Sequence, residues 1–508
     1  MSASYHEIDR HIFPRWRSFE ATSELGELAR PVIELENETA ELDLSLARGI
    51  AEWEGSSSLW QGLDLLGTAV IAGRLEEFSA LVAEIKSNPL TPRAAREFLA
   101  KTQAAKAIQL DLPGCDSIPG RTSQSEIRTH RLNLAFAPRD PIEWMELARS
   151  YTIAGLNDKA GKAVLAALQL APDNRFVLRS AARFFIHIGE KDIAHGLLSR
   201  SRLIKQDTWV MASEIAIADS MGKTSRISRI AREKMEADVP PSELTELASA
   251  LGSLEAESGN HRVARRYLRR ALNGANENSI AQIRWLNRSR LNRSDLEDAI
   301  DVSGANPPRL HEANAWEAFH KGEFEVARNE SLCWLRDQPF ASAPAILNSY
   351  IVSSIFLDFE AGKEIALDAL RSNPDDPFLL NNLAVCLTEI GDLAAAETYL
   401  SRLPTEGLGG RVNATYKATF GMLEFRRGNI EEGRRLYRES IEKSKDSGDK
   451  ETAARAAFHL AFEELIAHTS HVDEAIQRLK DYEGQENFIE KARFFERVNA
   501  LLLCNTAR

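Results

Sequence analysis

Three observations in the sequence predict an all-α solenoid of stacked helix–turn–helix hairpins. First, a unit of about 34 residues recurs, marked by glycines Gly155, Gly189, Gly222, Gly259, Gly322, Gly391 and Gly428, with successive separations of 34, 33, 37, 63, 69 and 37 residues. Second, small residues recur in pairs twelve apart, as Ala148/Ala160, Ala182/Ala194, Gly252/Ala264 and Ala384/Ala396. Such pairs let two antiparallel helices approach closely. Third, extended runs of period-two alternation, which strands would need, do not occur.

Each element of the repeat has a physical reason. In the clearest unit, Pro141–Asn174, Trp144, Leu147, Ala148 and Tyr151 lie on a first helix that Gly155 ends, since glycine accepts the left-handed cap conformation. Ala160 and Ala167 lie on the second helix, and Pro172 stops it. With Pro141 as position 1, these residues fall at positions 4, 7, 8, 11, 15, 20, 27 and 32, and the unit resembles the tetratricopeptide repeat. The next unit keeps Leu178, Ala181, Ala182, Phe185, Gly189 and Ala194. The resemblance implies a right-handed superhelical solenoid whose first helices line a concave groove for a peptide or partner segment. One hairpin cannot bury its apolar face alone, so about ten must stack.

Departures from the pattern mark the organisation. Residues 1–112 read as an N-terminal helical region with a degenerate repeat near Leu59–Ser87. The Pro-, Gly- and Ser-rich stretch within 113–127 reads as a linker. Residues 128–302 form a first repeat segment, 303–308 a second linker and 309–482 a second repeat segment. The unit near Ala343–Asp376 keeps Ala369 and Pro374 but lacks the turn glycine, and Asn278–Val302 is a shortened hairpin. Residues 483–508 read as a capping or docking helix.

Composition narrows the function classes. With 44 % hydrophobic and 27 % charged residues, the chain has ample core for a folded, soluble protein. Its net charge of −12 argues against coating nucleic acid over the whole surface, but leaves room for a local basic face. No stretch has the length and apolarity of a signal peptide or membrane span. Four widely spaced cysteines, Cys115, Cys333, Cys386 and Cys504, suit reduced thiols, so a cytoplasmic location with no membrane contact is the expectation.

Tempting catalytic fragments fail on spacing. Gly222-Lys223-Thr224-Ser225 resembles the end of a phosphate loop, but Ile217 stands where the first glycine belongs. Gly407–Gly410 is not a full dinucleotide fingerprint. His468, His471, Asp473 and Glu474 sit at a helix–helix turn without a zinc-site pattern. No nucleophile elbow or local Cys–His signature is present. The expectation is a chain that is not an enzyme, with no catalytic residue, cofactor or metal.

Three surfaces stand out instead. Arg149 and Arg183 at position 9 and Arg179 at position 5 are placed on the groove face that the resemblance implies, where arginine forks suit an acidic segment. Asn348 and Asn382 recur 34 residues apart at position 6, a position from which such repeats clamp a peptide backbone. For each set, a solvated face or helix–helix hydrogen bonding is the competing reading. The third surface is Arg262, Arg265, Arg266, Arg269, Arg270, Arg284, Arg288, Arg290 and Arg293, which with Glu277 as the sole acid carry +8 in 32 residues. It is compatible with an acidic partner or an acidic surface of the same chain, with a solvated face, and with nucleic acid. Finally, Arg10–Arg17 (RHIFPRWR) joins aromatics to arginines ahead of the regular helices, and is expected to cap the first hairpin or to anchor on a second protein. The function expected is a scaffold or adaptor binding a protein or peptide in its groove. The alternatives are a regulatory or defence-type subunit contacting nucleic acid through 262–293 and, last, an enzyme with a dispersed site.

Overall fold

The computed structural model describes residues 10–19, 35–71, 74–91, 95–96, 99, 124–237, 240–291, 300, 307, 309–403, 410–482 and 489–506. Every regular element among them is helical. Two compact units emerge, Ala29–Asp116 and a larger one combining Met1–Leu28 with Ser117–Arg508.

In the smaller unit, α1 (Leu35–Ser56), α2 (Leu59–Ile71) and α3 (Ser79–Ser87) share a core of Leu46, Leu65, Leu66, Val82 and Ile85. In the larger unit, α4 (Gln124–Phe136) precedes a run of hairpins. The first four are α5/α6 (Pro141–Ile153, Asn157–Leu170), α7/α8 (Arg175–His187, Lys191–Arg200), α9/α10 (Thr208–Ser220, Ser228–Met235) and α11/α12 (Pro241–Glu257, His261–Ala271). Helix α13 (Glu277–Leu286) then runs into a π-helical turn at Asn287–Leu291. Next come α14/α15 (His311–Lys321, Phe324–Asp337), α16/α17 (Ser342–Tyr350, Phe359–Ser372), α18/α19 (Pro377–Ile390, Leu393–Leu400), α20/α21 (Gly410–Arg426, Ile430–Asp446) and α22/α23 (Lys450–Ile466, Val472–Lys480). Helix α24 (Lys491–Thr506) ends the described chain.

The repeat signature has the expected local chemistry. Asp140 caps α5 by accepting from Ile142 N and Glu143 N at 2.9 and 3.2 Å, and Asp376 does the same for α18. In both helices a proline follows the cap, where its missing N–H costs nothing. All seven marker glycines have positive φ. Where the 343–376 unit lacks the glycine, Leu357 takes φ 60° after a π-helical turn at Ile351–Ile355. A leucine there bears the strain that glycine avoids.

Two differences from the sequence expectation matter. Residues 10–19 do not group with the rest of the N-terminal region but with the solenoid, because their side chains find partners there. Of the cysteines, Cys386 is a free, buried thiol, whereas Cys333 is disulfide-bonded rather than reduced. Within the larger unit the solenoid also returns on itself. Gly155, at the α5–α6 turn, lies so near the end of α17 that a Cβ there would sit 2.0 Å from the Arg371 carbonyl oxygen.

A concave face filled by the chain's own N-terminal arm

The first helices of successive hairpins present a surface on which residues 10–19 lie. The arm is non-helical through Ser18, so its recognition rests on side chains and carbonyls. Trp16 is its anchor, 0 % exposed, with its ring 5.4 Å from Phe340 and 6.3 Å from Phe184. Ile12 is equally buried, and Phe19 meets Phe176 edge-on at 5.3 Å.

Three arm arginines meet three carboxylates. Arg17 grips Asp337 with two parallel bonds, Nε to Oδ1 at 2.6 Å and Nη2 to Oδ2 at 2.7 Å, and donates Nη1 to Glu277 at 2.6 Å. Arg15 donates to Glu312 at 2.5 Å, and Arg10 reaches the same carboxylate through Nε at 2.7 Å. Arg10 also bonds Asn278 Oδ1 at 2.8 Å and the Gln282 side chain. Burial alone would raise the Glu312 and Asp337 carboxyls, but the arginines beside them hold both below the ordinary carboxylate value. Glu146 accepts the Phe19 N–H at 2.6 Å, and there burial wins and raises its pKa.

The wall also reads the arm's backbone. Asn278 Nδ2 donates to the Phe13 carbonyl at 3.1 Å, and Gln282 Nε2 to the Arg10 carbonyl at 3.4 Å. Asn278 is held in turn by Glu246 at 3.2 Å, and Glu246 accepts from Arg179 at 2.6 Å. At the arm's outer end, His11 Nδ1 lies 3.7 Å from Asp219, and His11, Asp219 and Glu257 have ligand atoms within 4.8 Å of one another.

The arginines singled out by spacing have distinct places. Arg179 is buried, stacked on Trp209 at 4.5 Å, and works behind the clamp through Glu246. Arg183 stacks on Phe340 at 5.3 Å, and burial, reinforced by Arg15, lowers its pKa to about 10. Arg149 is also lowered by burial, against the opposing pull of Glu146 and Asp337. Arg149 and Arg183 therefore lie within electrostatic reach of the arm's arginines, whereas Arg179 stands one residue behind, on Glu246. Asn348 donates to the Arg328 carbonyl and to Ser331 Oγ, and Asn382 to the Ile346 carbonyl and to Ser349 Oγ. Both join one helix to the next.

The arginine-rich stretch divides. Arg262, Arg265, Arg266, Arg269 and Arg270 lie on α12, where Arg262, Arg266 and Arg269 are exposed. Among the described residues Arg262, Arg265, Arg266 and Arg270 take no carboxylate partner. Arg284, on α13, pairs instead with Glu317 at 2.7 Å, and Arg288 adds to the charge that lowers Glu317. Arg293 and the Arg290 side chain lie outside the described residues, as does most of Gly407–Gly410. In the phosphate-loop-like segment, Lys223 pairs with Asp192 and Ser225 donates to Glu214 at a helix–helix turn.

What spacing did not single out is the acceptor set, Glu277, Glu312, Asp337, Asn278 and Gln282. Its signal was available only jointly, as acids on three successive helices and arginines in the arm.

A second inserted segment lies further along. Glu490, 0 % exposed, accepts from Arg455 at 2.9 Å on both oxygens and from the Tyr350 hydroxyl at 2.7 Å. Burial opposes its charge, yet Arg455 and Tyr350 keep its pKa below the ordinary value. Helix α24 follows, with Phe494 and Phe495 against Phe458 at 5.7 and 4.6 Å and Arg497 on Glu389 at 3.0 Å.

These features define an all-α helical-repeat solenoid with an occupied concave face. No family model and no curated protein sequence matches the chain. Among solved structures, it is similar to an APC/C hetero-tetramer of Cut9 and Hcn1 at 13 % identity and TM-score 0.40, covering 96 % of this chain and 99 % of that one. Yeast Tom70 aligns at 14 % identity and TM-score 0.30, covering 85 % and 97 %. A human IFIT1 dimer with PPP-AAAA aligns at 16 % identity and TM-score 0.36, covering 76 % and 96 %. Likenesses this distant add nothing to the fold read directly from the helices.

Proposed function

We propose that this chain is a non-catalytic scaffold that binds an extended protein segment on its concave face. One observation carries the reading: that face already holds nine residues of non-helical polypeptide, Arg10 to Ser18, by ion pairs, an aromatic anchor and carbonyl clamps. A preformed surface of this kind recognises a peptide with no covalent chemistry. Placing a photo-crosslinking residue at Arg183, beside the arm, tests it in the full-length protein. The expected product is a nuclease-resistant adduct with a second protein. Crosslinks confined to other faces, together with turnover by the purified chain, would refute it.

A second reading is favoured by α12, whose Arg262, Arg265, Arg266 and Arg270 are without carboxylate partners among the described residues. This is the surface that would contact nucleic acid, without Arg284 and Arg288, which lie toward Glu317. It requires binding that falls steeply with salt. Unchanged binding after Arg266→Glu with Arg270→Glu would remove it.

A further inference from the structure

We propose that the concave face is a receptor for an arginine–aromatic–arginine segment supplied in trans, and that residues 10–19 are its resident competitor. This deepens the peptide-binding reading above and rests on it.

Glu277, Glu312 and Asp337 come from three helices, and all three are buried or nearly so. Carboxylates desolvated together repel one another unless cations stand between them. Wall arginines offset part of this charge, with Arg309 Nη1 3.6 Å from Asp337, but the cations hydrogen-bonded to all three carboxylates come from the arm, and that is the role a partner must fill. Asp337 adds geometry, because its two parallel bonds to Arg17 fit a guanidinium fork and not an ammonium. The Phe184–Phe340 site next to it takes a flat ring. Together these demand Arg–aromatic–Arg, with a further arginine five residues before the first. Carbonyl clamping by Asn278 and Gln282 is indifferent to side chains and admits any extended backbone in that register.

The arm meets the demand without being built into the repeats. It belongs to no hairpin, and the carboxylates that pair with its arginines lie 260 to 320 residues away in sequence. Such a tethered segment competes through its high effective concentration, not through contacts a free peptide cannot make. A partner with the same side chains thus binds only the fraction of molecules whose arm has left, so its apparent affinity falls by that fraction.

The test uses the full-length chain and a fluorescein-labelled peptide of residues 10–19, RHIFPRWRSF. In the Arg15→Glu/Arg17→Glu variant the arm is repelled by the three carboxylates, and the peptide is expected to bind about 100-fold more tightly than to wild type. A peptide with glutamate at both of those arginines should not bind. A folded variant that takes up no peptide overturns the proposal, as does equal affinity for wild type and variant. So does a doubled mass at high concentration, which would make a second copy the occupant. If the variant fails to melt cooperatively, RHIFPRWRSF should restore a cooperative melt, and failure to do so counts against the proposal. Crosslinking to a partner at Arg183 that is unaffected by the double swap would remove this inference and leave the function standing.

Discussion

The concave face takes in two segments of its own chain, and the two are opposite in polarity. Near the N-terminus the wall supplies the acids Glu277, Glu312 and Asp337, and the inserted arm supplies arginines. Further along, the wall supplies Arg455 and Tyr350, and the inserted residue is Glu490. The acids that hold the arm lie 260 to 320 residues from its arginines, whereas Glu490 lies 35 residues from Arg455 and 140 from Tyr350. The same repeat architecture can therefore select opposite charges, and the selecting residues are a handful of polar side chains.

The largest expected effect separates the two sites directly. Arg17→Ala leaves Glu277 and Asp337 short of a cation and should cost about 3–5 kcal/mol in denaturant unfolding. Arg455→Ala should cost less, because the Tyr350 hydroxyl still donates to Glu490. Equal losses would mean that the arm's multiple pairing adds nothing.

Two turn glycines come next. Gly155→Ala puts a Cβ against the Arg371 carbonyl and should lower stability by about 3 kcal/mol. Gly189→Ala, with the same left-handed backbone but open space around it, should cost only about 1–2 kcal/mol. Matching melting temperatures would show that the Gly155 contact does not hold the solenoid closed.

Acidity distinguishes the sites more gently. Glu312 and Asp337 are held below their ordinary values, so their contribution is complete above about pH 4.5 and is lost as pH falls through the lowered folded values. Glu463, beside α24, has the opposite sign, since burial raises it to about 7. Its ionisation weakens the C-terminal part as pH rises from about 4.5 to 7. Hydrogen exchange, corrected for its intrinsic pH dependence, should show α22 becoming less protected between about pH 5.5 and 8, and Glu463→Gln should abolish that drift. The smallest effect is on the surface of α12, where Arg266→Glu with Arg270→Glu should shift stability by no more than about 0.5 kcal/mol per site.

The repeat was legible because its signals are local. Capping aspartates, turn glycines and paired small residues act within one hairpin, as Asp140, Gly155 and Ala148/Ala160 show. The site was only half legible. The RHIFPRWR stretch was conspicuous, but its destination was not readable. Pairing Arg17 with Asp337 needs the curvature of several hairpins, which no single 34-residue window contains. For Asn348 and Asn382 the sequence left a peptide clamp and a helix–helix bond both open, and in the structure each amide bonds a preceding helix.

The Arg17 contacts also set an order of assembly. Repeat solenoids ordinarily gain stability neighbour by neighbour, and folding can spread from any unit. Here the arm emerges from the ribosome first, while Glu277 and Asp337 follow 260 and 320 residues later. Its arginines must stay hydrated until α13 and α15 have formed, so arm docking is a late step that slows maturation. Once docked, it ties hairpins that never touch as neighbours into a single cooperative block, and a truncated translation product ending before Asp337 would lack the latch that a finished chain has.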